Sequence, residues 1–164
     1  MKFSLWTNNG ALNSRPVFDA FAHSCVQLGH SVVYNDPSAD VDVIWSVLWY
    51  GRMAPNKDIW DKAKAAGKNI IVLEVGGLNR GTTWKVGLNG INRDAYFGGL
   101  HNNSSRADAL GLLLKPWRNN ENGPIVIACQ HSASEQWRQQ KHPGTWVFEA
   151  IQEIRKHTEK EVII

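Results

Sequence analysis

Short β-branched apolar runs alternate along this chain with amphipathic segments of helical period, and that alternation restricts it to a layered α/β fold with a mostly parallel sheet flanked by helices. Lys2 to Trp6 (KFSLW) reads as a first strand. A polar loop, TNNGALNSRP, leads into a helix near Pro16 to Leu28, where Ser14 suits the N-cap and Pro16 the first turn. Val17, Phe21, Cys25 and Leu28 recur at helical spacing, so one face is expected to be buried. Gly29 ends that helix and His30 to Tyr34 forms the second strand, a unit whose crossover should be right-handed. Val41 to Val47 reads as a third strand after the turn cluster Asn35 to Asp40. A helix from about Ala54 to Ala66 presents Ile59, Ala63 and Ala66 inward and closes at Gly67. Asn69 to Val75 is the fourth strand, an apolar run typical of one buried on both faces.

The stretch after that strand changes character. Of the 14 glycines, seven fall between Asn69 and Gly99, interleaved with Asn79, Arg80, Thr82, Thr83, Trp84, Lys85, Asn89, Asn92 and Arg93. Ligands of open parallel sheets bind beyond the carboxyl ends of the strands, and glycine allows close backbone approach. Two readings stand side by side: a ligand loop, or an irregular hairpin in which Trp84 to Leu88 returns on Ala95 to Phe97.

Further on, Ser104 to Leu114 is expected to be a helix stopped by Pro116, and Trp117 to Gly123 is the most linker-like segment. Pro124 to Cys129 is a fifth apolar strand, Thr145 to Thr158 an amphipathic helix, and Glu161 to Ile164 the start of a last strand. The expected organisation is a first domain over 1–118, then a linker and the first βαβ unit of a second α/β domain over 119–164. That second domain is only begun, so the chain reads as a fragment.

The formal charge of +3 and pI near 9.0 are mildly basic, and no run of five or more Lys or Arg concentrates that charge. Charge alone therefore gives weak support to a nucleic-acid partner. Cys25 and Cys129 form no CxxC motif and no disulfide framework, which points to a reducing, cytoplasmic setting. No apolar run approaches the roughly 18 residues needed to cross a bilayer, so no membrane partner is expected. Eight tryptophans are many; most belong in the core, while Trp45, Trp49 and Trp84 border predicted loops where an indole stacks on a sugar or base.

Three polar loops carry the candidate chemistry. The first βα loop holds Asn8, Asn9, Gly10, Asn13 and Ser14; a glycine loop before a helix N-terminus suits an anion, though G-x-G-x-x-G is absent. The glycine-rich stretch offers Gly76, Gly77, Arg80, Trp84, Asn89 and Arg93, with Glu74 at the strand end as a candidate base or as a carboxylate closing the strand against Arg80 or Arg93. After the fifth strand come Gln130, His131 and Ser132; there Ser132 or Ser134 caps a helical turn, or His131 and Ser132 face a ligand. His23, His30, His101, His131, His142 and His157 lack HxxxH or HxH spacing, so no metal site is expected. Neither a G-x-S-x-G elbow nor a P-loop is present.

The opening strand, polar loop and helix ending Leu28-Gly29-His30-Ser31-Val32 resemble the start of many GT-B glycosyltransferases. The segments LEVGGLNRGTTWKVGLNG and ACQHSASEQW look like those of glycosyltransferase-like proteins of phage and marine metagenomic origin. In those proteins the segment matching Thr145 to Ile164 leads into an Arg-Pro-His-Pro motif. The resemblance implies two Rossmann-like domains, a GT-B-like arrangement with the acceptor mainly on the first domain and the nucleotide-sugar donor mainly on the second. By position, Asn8 to Asn13 and the glycine stretch would line the acceptor side, and Gln130, His131 and Ser132 would face the donor. On the transferase reading, the polar loops after strands one, four and five make Arg80 and Arg93 the candidate anion contacts and Glu74 or His131 the candidate base, with no cofactor beyond the nucleotide-sugar substrate. The acceptor stays open, DNA or a glycan among the options, as does a homo-oligomer. The other class of function is a non-catalytic, flavodoxin-like module that binds a nucleotide or a protein partner.

Overall fold

The computed structural model describes residues 1–96 and 103–164 of the chain. Two compact units emerge, Met1–Phe97 with Gln130–Gln139, and Gly98–Cys129 with Gln140–Ile164. The sequence reading placed a single boundary after residue 118, whereas the chain changes unit at 98, again at 130 and again at 140.

The first unit is an α/β sheet of five strands. They are β1 (Lys2–Leu5), β2 (Ser31–Tyr34), β3 (Val41–Trp45), β4 (Asn69–Val75) and β5 (Trp84–Leu88), in the spatial order β2-β1-β3-β4-β5. The first four run parallel, with Phe3 opposite both Val32 and Val41 and with Val43 opposite Ile71. β5 is antiparallel to β4, pairing Glu74 with Lys85 and Val75 with Trp84. Much of the glycine-rich stretch is thus a hairpin on β4 itself. Of the expected return on Ala95 to Phe97, a bridge from Leu88 to Tyr96 is present, and Phe97 lies outside the described residues.

Side-chain alternation along the strands builds two cores. Val41, Val43 and Trp45 of β3 meet Phe3, Leu5 and Leu73 on one face, and α1 (Arg15–Gln27) closes it with Phe18, Ala22 and Cys25. Ile44, Ile70 and Val72 point to the opposite face, closed by Ile59, Trp60 and Ala63 of α2 (Asn56–Ala65). Fully burying a side chain such as Phe18 stabilises the fold by about 1.5–3 kcal/mol. The helices lie on opposite faces because right-handed crossovers step left from β1 to β2 and right from β3 to β4.

The β2–β3 crossover has no helix. Six residues, 35–40, carry the chain back along the sheet, anchored where the Asp36 amide donates to Ser4 Oγ at 2.9 Å and the Asp40 amide to the Lys2 carbonyl at 2.9 Å. A helix in that connection would cover the sheet beside α2. Its place is taken by a cleft of about 530 Å³, with Trp6 and Pro37 on one side and Ile59 and Ala63 of α2 and its C-cap Ala66 on the other.

The second unit contains α3 (Ser105–Ala109), two short parallel strands, β6 (Ile125–Val126) and β7 (Val162–Ile163), and α4 (Pro143–Arg155) between them in sequence. The expected helix over Ser104 to Leu114 stops early: Gly111 turns to φ +63°, and Leu113 and Leu114 are exposed. A helix this short draws most of its stability from packing, and Ile127 is the one buried residue of this unit among those described.

Candidate functional site

The strand order reverses direction between β1 and β3, because the chain leaves β1 toward β2 and leaves β3 toward β4. Such a switch point opens a crevice outside the carboxyl ends of the two strands. Two loops line it. From β1 the chain passes through Trp6 and a 3-10 turn, Thr7–Asn9, to Gly10, Asn13 and Ser14. From β3 it passes through Ser46, Tyr50 and a second 3-10 turn, Gly51–Met53, into α2.

Close packing shapes the first loop. A Cβ at Gly10 would lie 2.1 Å from Ser14 Oγ and 3.2 Å from the Phe18 ring, so only glycine lets the loop settle onto α1. Ser14 stands at the N-cap position but is buried beneath Gly10, and its side chain makes no capping bond. Asn8 and Asn13 are exposed.

Asn56, at the start of α2, ties the two loops together. Its Nδ2 donates to the Trp45 carbonyl at 2.8 Å and to the Asn9 carbonyl at 3.3 Å. The residue is fully buried, and its Oδ1 has no hydrogen-bond partner among the described residues. Such an acceptor is costly to leave unmet, and a water or a ligand donor would satisfy it. Ser46 adopts φ +64°, a left-handed conformation uncommon outside glycine. Its hydroxyl accepts the Leu48 amide at 3.1 Å while its own amide donates to the Leu73 carbonyl at 2.8 Å.

The segment Gln130–Gln139 forms a third wall. Leu48 bridges Ser134, the Glu135 amide donates to the Val47 carbonyl at 2.9 Å, and Trp49 Nε1 donates to Glu135 Oε2 at 3.1 Å. Ser134 caps the 3-10 turn Glu135–Trp137 by accepting the Gln136 amide, and Gln130 Nε2 also donates to its hydroxyl. His131 is exposed and sits 5.5 Å from the Tyr50 ring, centre to centre. Its Nδ1 accepts the Ala133 amide at 3.1 Å, so the neutral imidazole carries its proton on Nε2 and presents a donor outward. Ser132 is exposed beside it.

The remaining sequence candidates are dispersed. Glu74 is half-buried, with Oε1 accepting the Val75 amide at 2.8 Å and Lys85 opposite it on β5; no ion pair joins it to Arg80 or Arg93 among the described residues. Gly76 is needed at the hairpin neck, where a Cβ would meet the Thr83 carbonyl oxygen at 2.5 Å, whereas Gly77 faces open space. Arg80 is exposed at the hairpin tip and forms no ion pair among the described residues. Trp84 packs edge-on against Trp45 at 5.8 Å, on the α1 face of the sheet.

Asn89 sits at the amino end of β4, away from the crevice. Its Oδ1 accepts the Ile70 amide at 2.9 Å and its Nδ2 donates to Asn69 Oδ1 at 2.9 Å. Arg93 braces the third wall, its amide donating to Gln136 Oε1 and its Nη1 to the Arg138 carbonyl; Arg138 in turn pairs with Asp94 and Glu135. Gly98, Gly99 and His101 lie outside the described residues.

The crevice therefore gathers Asn8, Asn9, Gly10 and Asn13 on one side and Ser46, Tyr50 and Arg52 on the other, with Asn56 as the brace beneath. Arg52 forms no ion pair among the described residues. Ser46, Arg52 and Asn56 escaped the sequence reading, although Tyr50-Gly51-Arg52 after a strand repeats the pattern noticed after β4. Among the described residues, no group of three or more metal-binding side chains is found and no helix is long and apolar enough to cross a membrane. Comparison with known proteins returns no matching family model, no matching curated protein and no matching solved structure.

Proposed function

We propose that the chain is a glycosyltransferase-like protein that receives a nucleotide-sugar and an acceptor hydroxyl at the β1/β3 crevice. The observation carrying this reading is the crevice itself: a switch point flanked by loops that carry the exposed residues Asn8, Asn13, Tyr50 and Arg52, the last in no ion pair among the described residues, with a buried acceptor left unmet on Asn56. In the reaction the acceptor oxygen bonds to the sugar C1, the bond from C1 to the diphosphate breaks, and the acceptor proton passes to a base. Glu74, near the carboxyl end of the neighbouring strand β4 and outside the two loops that line the crevice, has its second carboxylate oxygen available for that proton. His131, protonated on Nε2, suits a hydrogen bond to the departing diphosphate, and Arg52 suits its charge. The positioning of both substrates supplies the rest of the acceleration.

The order β2-β1-β3-β4-β5 is also that of flavodoxin-like modules, and this favours a second reading, a non-catalytic nucleotide binder. One experiment separates them. The chain is titrated with UDP-, GDP-, CDP- and ADP-sugars by calorimetry and thermal shift, then assayed for release of free nucleoside diphosphate with glycan and DNA acceptors. A ligand at about a hundredfold excess over Kd stabilises the fold by about 2.7 kcal/mol. Binding weakened by Arg52→Ala and turnover abolished by Glu74→Gln support the transferase. Binding without turnover supports the module, and no response to any nucleotide-sugar refutes the transferase reading.

A further inference from the structure

The cleft left by the helixless β2–β3 crossover is distinct from the crevice and lies on the α2 face of the sheet. Its chemistry is specific in three respects. First, every charged side chain lining it is already paired with another that lines it: Asp42 with Lys68 at 2.9 Å, and Asp58 with Lys62 at 2.7 Å. The charges lining the cleft therefore balance, two acidic against two basic side chains.

Second, the walls are mostly apolar: Trp6, Pro37, Pro55, Ile59, Ala63 and Ala66. The Trp6 N–H is already given to Asp42 Oδ1 at 2.8 Å, so what this indole offers a ligand is ring surface. Third, Asn9 lines the cleft and its side-chain amide has no hydrogen-bond partner among the described residues; its backbone carbonyl accepts from Asn56 and its backbone N–H donates to the Trp6 carbonyl. A primary amide presents one acceptor and one donor side by side, which matches the edge of a heteroaromatic ring carrying the same pair.

We propose that this cleft binds an uncharged planar heteroaromatic ring of nucleobase class, taken as a phosphate-free nucleoside. At about 530 Å³ it falls within the ordinary range for small-molecule sites, and it combines an apolar slot with one orienting polar group. The ring stacks on Trp6 between the crossover and α2, with its polar edge on Asn9. The proposal does not depend on the glycosyltransferase reading, although Asn9 contributes its backbone to one site and its side chain to the other.

The test titrates the full chain with uridine and adenosine, and in parallel with their 5′-monophosphates, following tryptophan fluorescence and chemical-shift changes up to about 5 mM ligand. The expected result is saturable binding of at least one nucleoside, with the monophosphate binding no more tightly. Ala66→Phe, which fills the cleft from the exposed end of α2, should weaken binding by about tenfold or more. Asn9→Leu should do the same by removing the polar edge, and it serves as the independent variant if Ala66→Phe does not fold, as judged by circular dichroism. No saturable nucleoside binding overturns the proposal. So does a monophosphate preferred by more than about tenfold, or binding indifferent to both variants. A nucleotide-sugar that binds while every nucleoside fails removes this site and leaves the crevice reading standing.

Discussion

Replacing Lys68 by methionine probes a well-buried ion pair, Lys68 with Asp42 of β3. Asp42 lies mid-strand in β3 on the face that carries Ile44, and its side chain is 5% exposed; that of Lys68 is 15% exposed, and the two meet at 2.9 Å. The other Asp42 oxygen accepts the Trp6 indole N–H. Methionine keeps the volume of the lysine stem but leaves the carboxylate with that single donor. Breaking a buried pair from one side costs about 3–5 kcal/mol, because the surviving charge is left uncompensated. The pair borders the open cleft and is not fully dry, so the lower end, about 3 kcal/mol, is expected here. Adding Asp42→Asn removes the orphaned charge, while the amide oxygen still accepts the indole N–H. The double variant should return to within about 1 kcal/mol of the parent. Guanidinium titration followed by far-UV circular dichroism measures both, with an unchanged slope confirming that the same surface unfolds. A single variant costing under about 1 kcal/mol would place the pair among solvated surface bridges and refute the reasoning. A double variant no better than the single one would refute it equally.

Three further outcomes follow from particular residues. Asn56→Ala strips both donors from the Trp45 and Asn9 carbonyls and should cost about 2–3 kcal/mol in the same titration; a loss under about 0.5 kcal/mol would mean that water replaces the amide freely. Burial pushes the Cys25 thiol above its ordinary value, while Cys129 is exposed, so a thiol reagent at neutral pH should label one site quickly and the second only on unfolding; equal rates would contradict the packing of α1. Hydrogen bonds from the Ser38 backbone and side chain, helped by Lys2 and Lys68, hold the Asp36 carboxyl below its ordinary value. A depressed pKa contributes stability that is present above the unfolded value and lost as pH falls through the folded one, so Asp36→Asn should lower stability at neutral pH and give a flatter acid-unfolding curve that converges on the parent's in acid; a variant curve parallel to the parent's throughout removes Asp36 from the acid response.

What could be read without coordinates was local. Val17, Phe21 and Cys25 at helical spacing, Ile59 with Ala63, and the run Ile70–Leu73 announce α1, α2 and β4, because amphipathic period and β-branching act within a few residues of sequence. The same logic failed where local preference had no partner: Ser104 to Leu114 has helical composition, but α3 ends at Ala109 with almost nothing packed against it. The hairpin residues were visible too, yet their roles depended on register. Asn89 falls at the amino end of β4 because β5 runs antiparallel, which places it a strand's length from Gly76 although the two are close in sequence.

Tertiary structure alone decided which loops meet. The order β2-β1-β3-β4-β5 put the switch point between β1 and β3, and so brought Ser46, Arg52 and Asn56 to the crevice. The return of Gln130–Gln139 to Val47–Trp49 assembled the third wall across a sequence separation that no short-range pattern encodes. The cleft beneath residues 35–40 exists because six residues span the β2–β3 crossover where a helix usually lies. A sequence shows that such a connection is short. Only the packing of the sheet shows which surface it leaves uncovered, since that surface is shaped by strand order, crossover handedness and side-chain volume acting together.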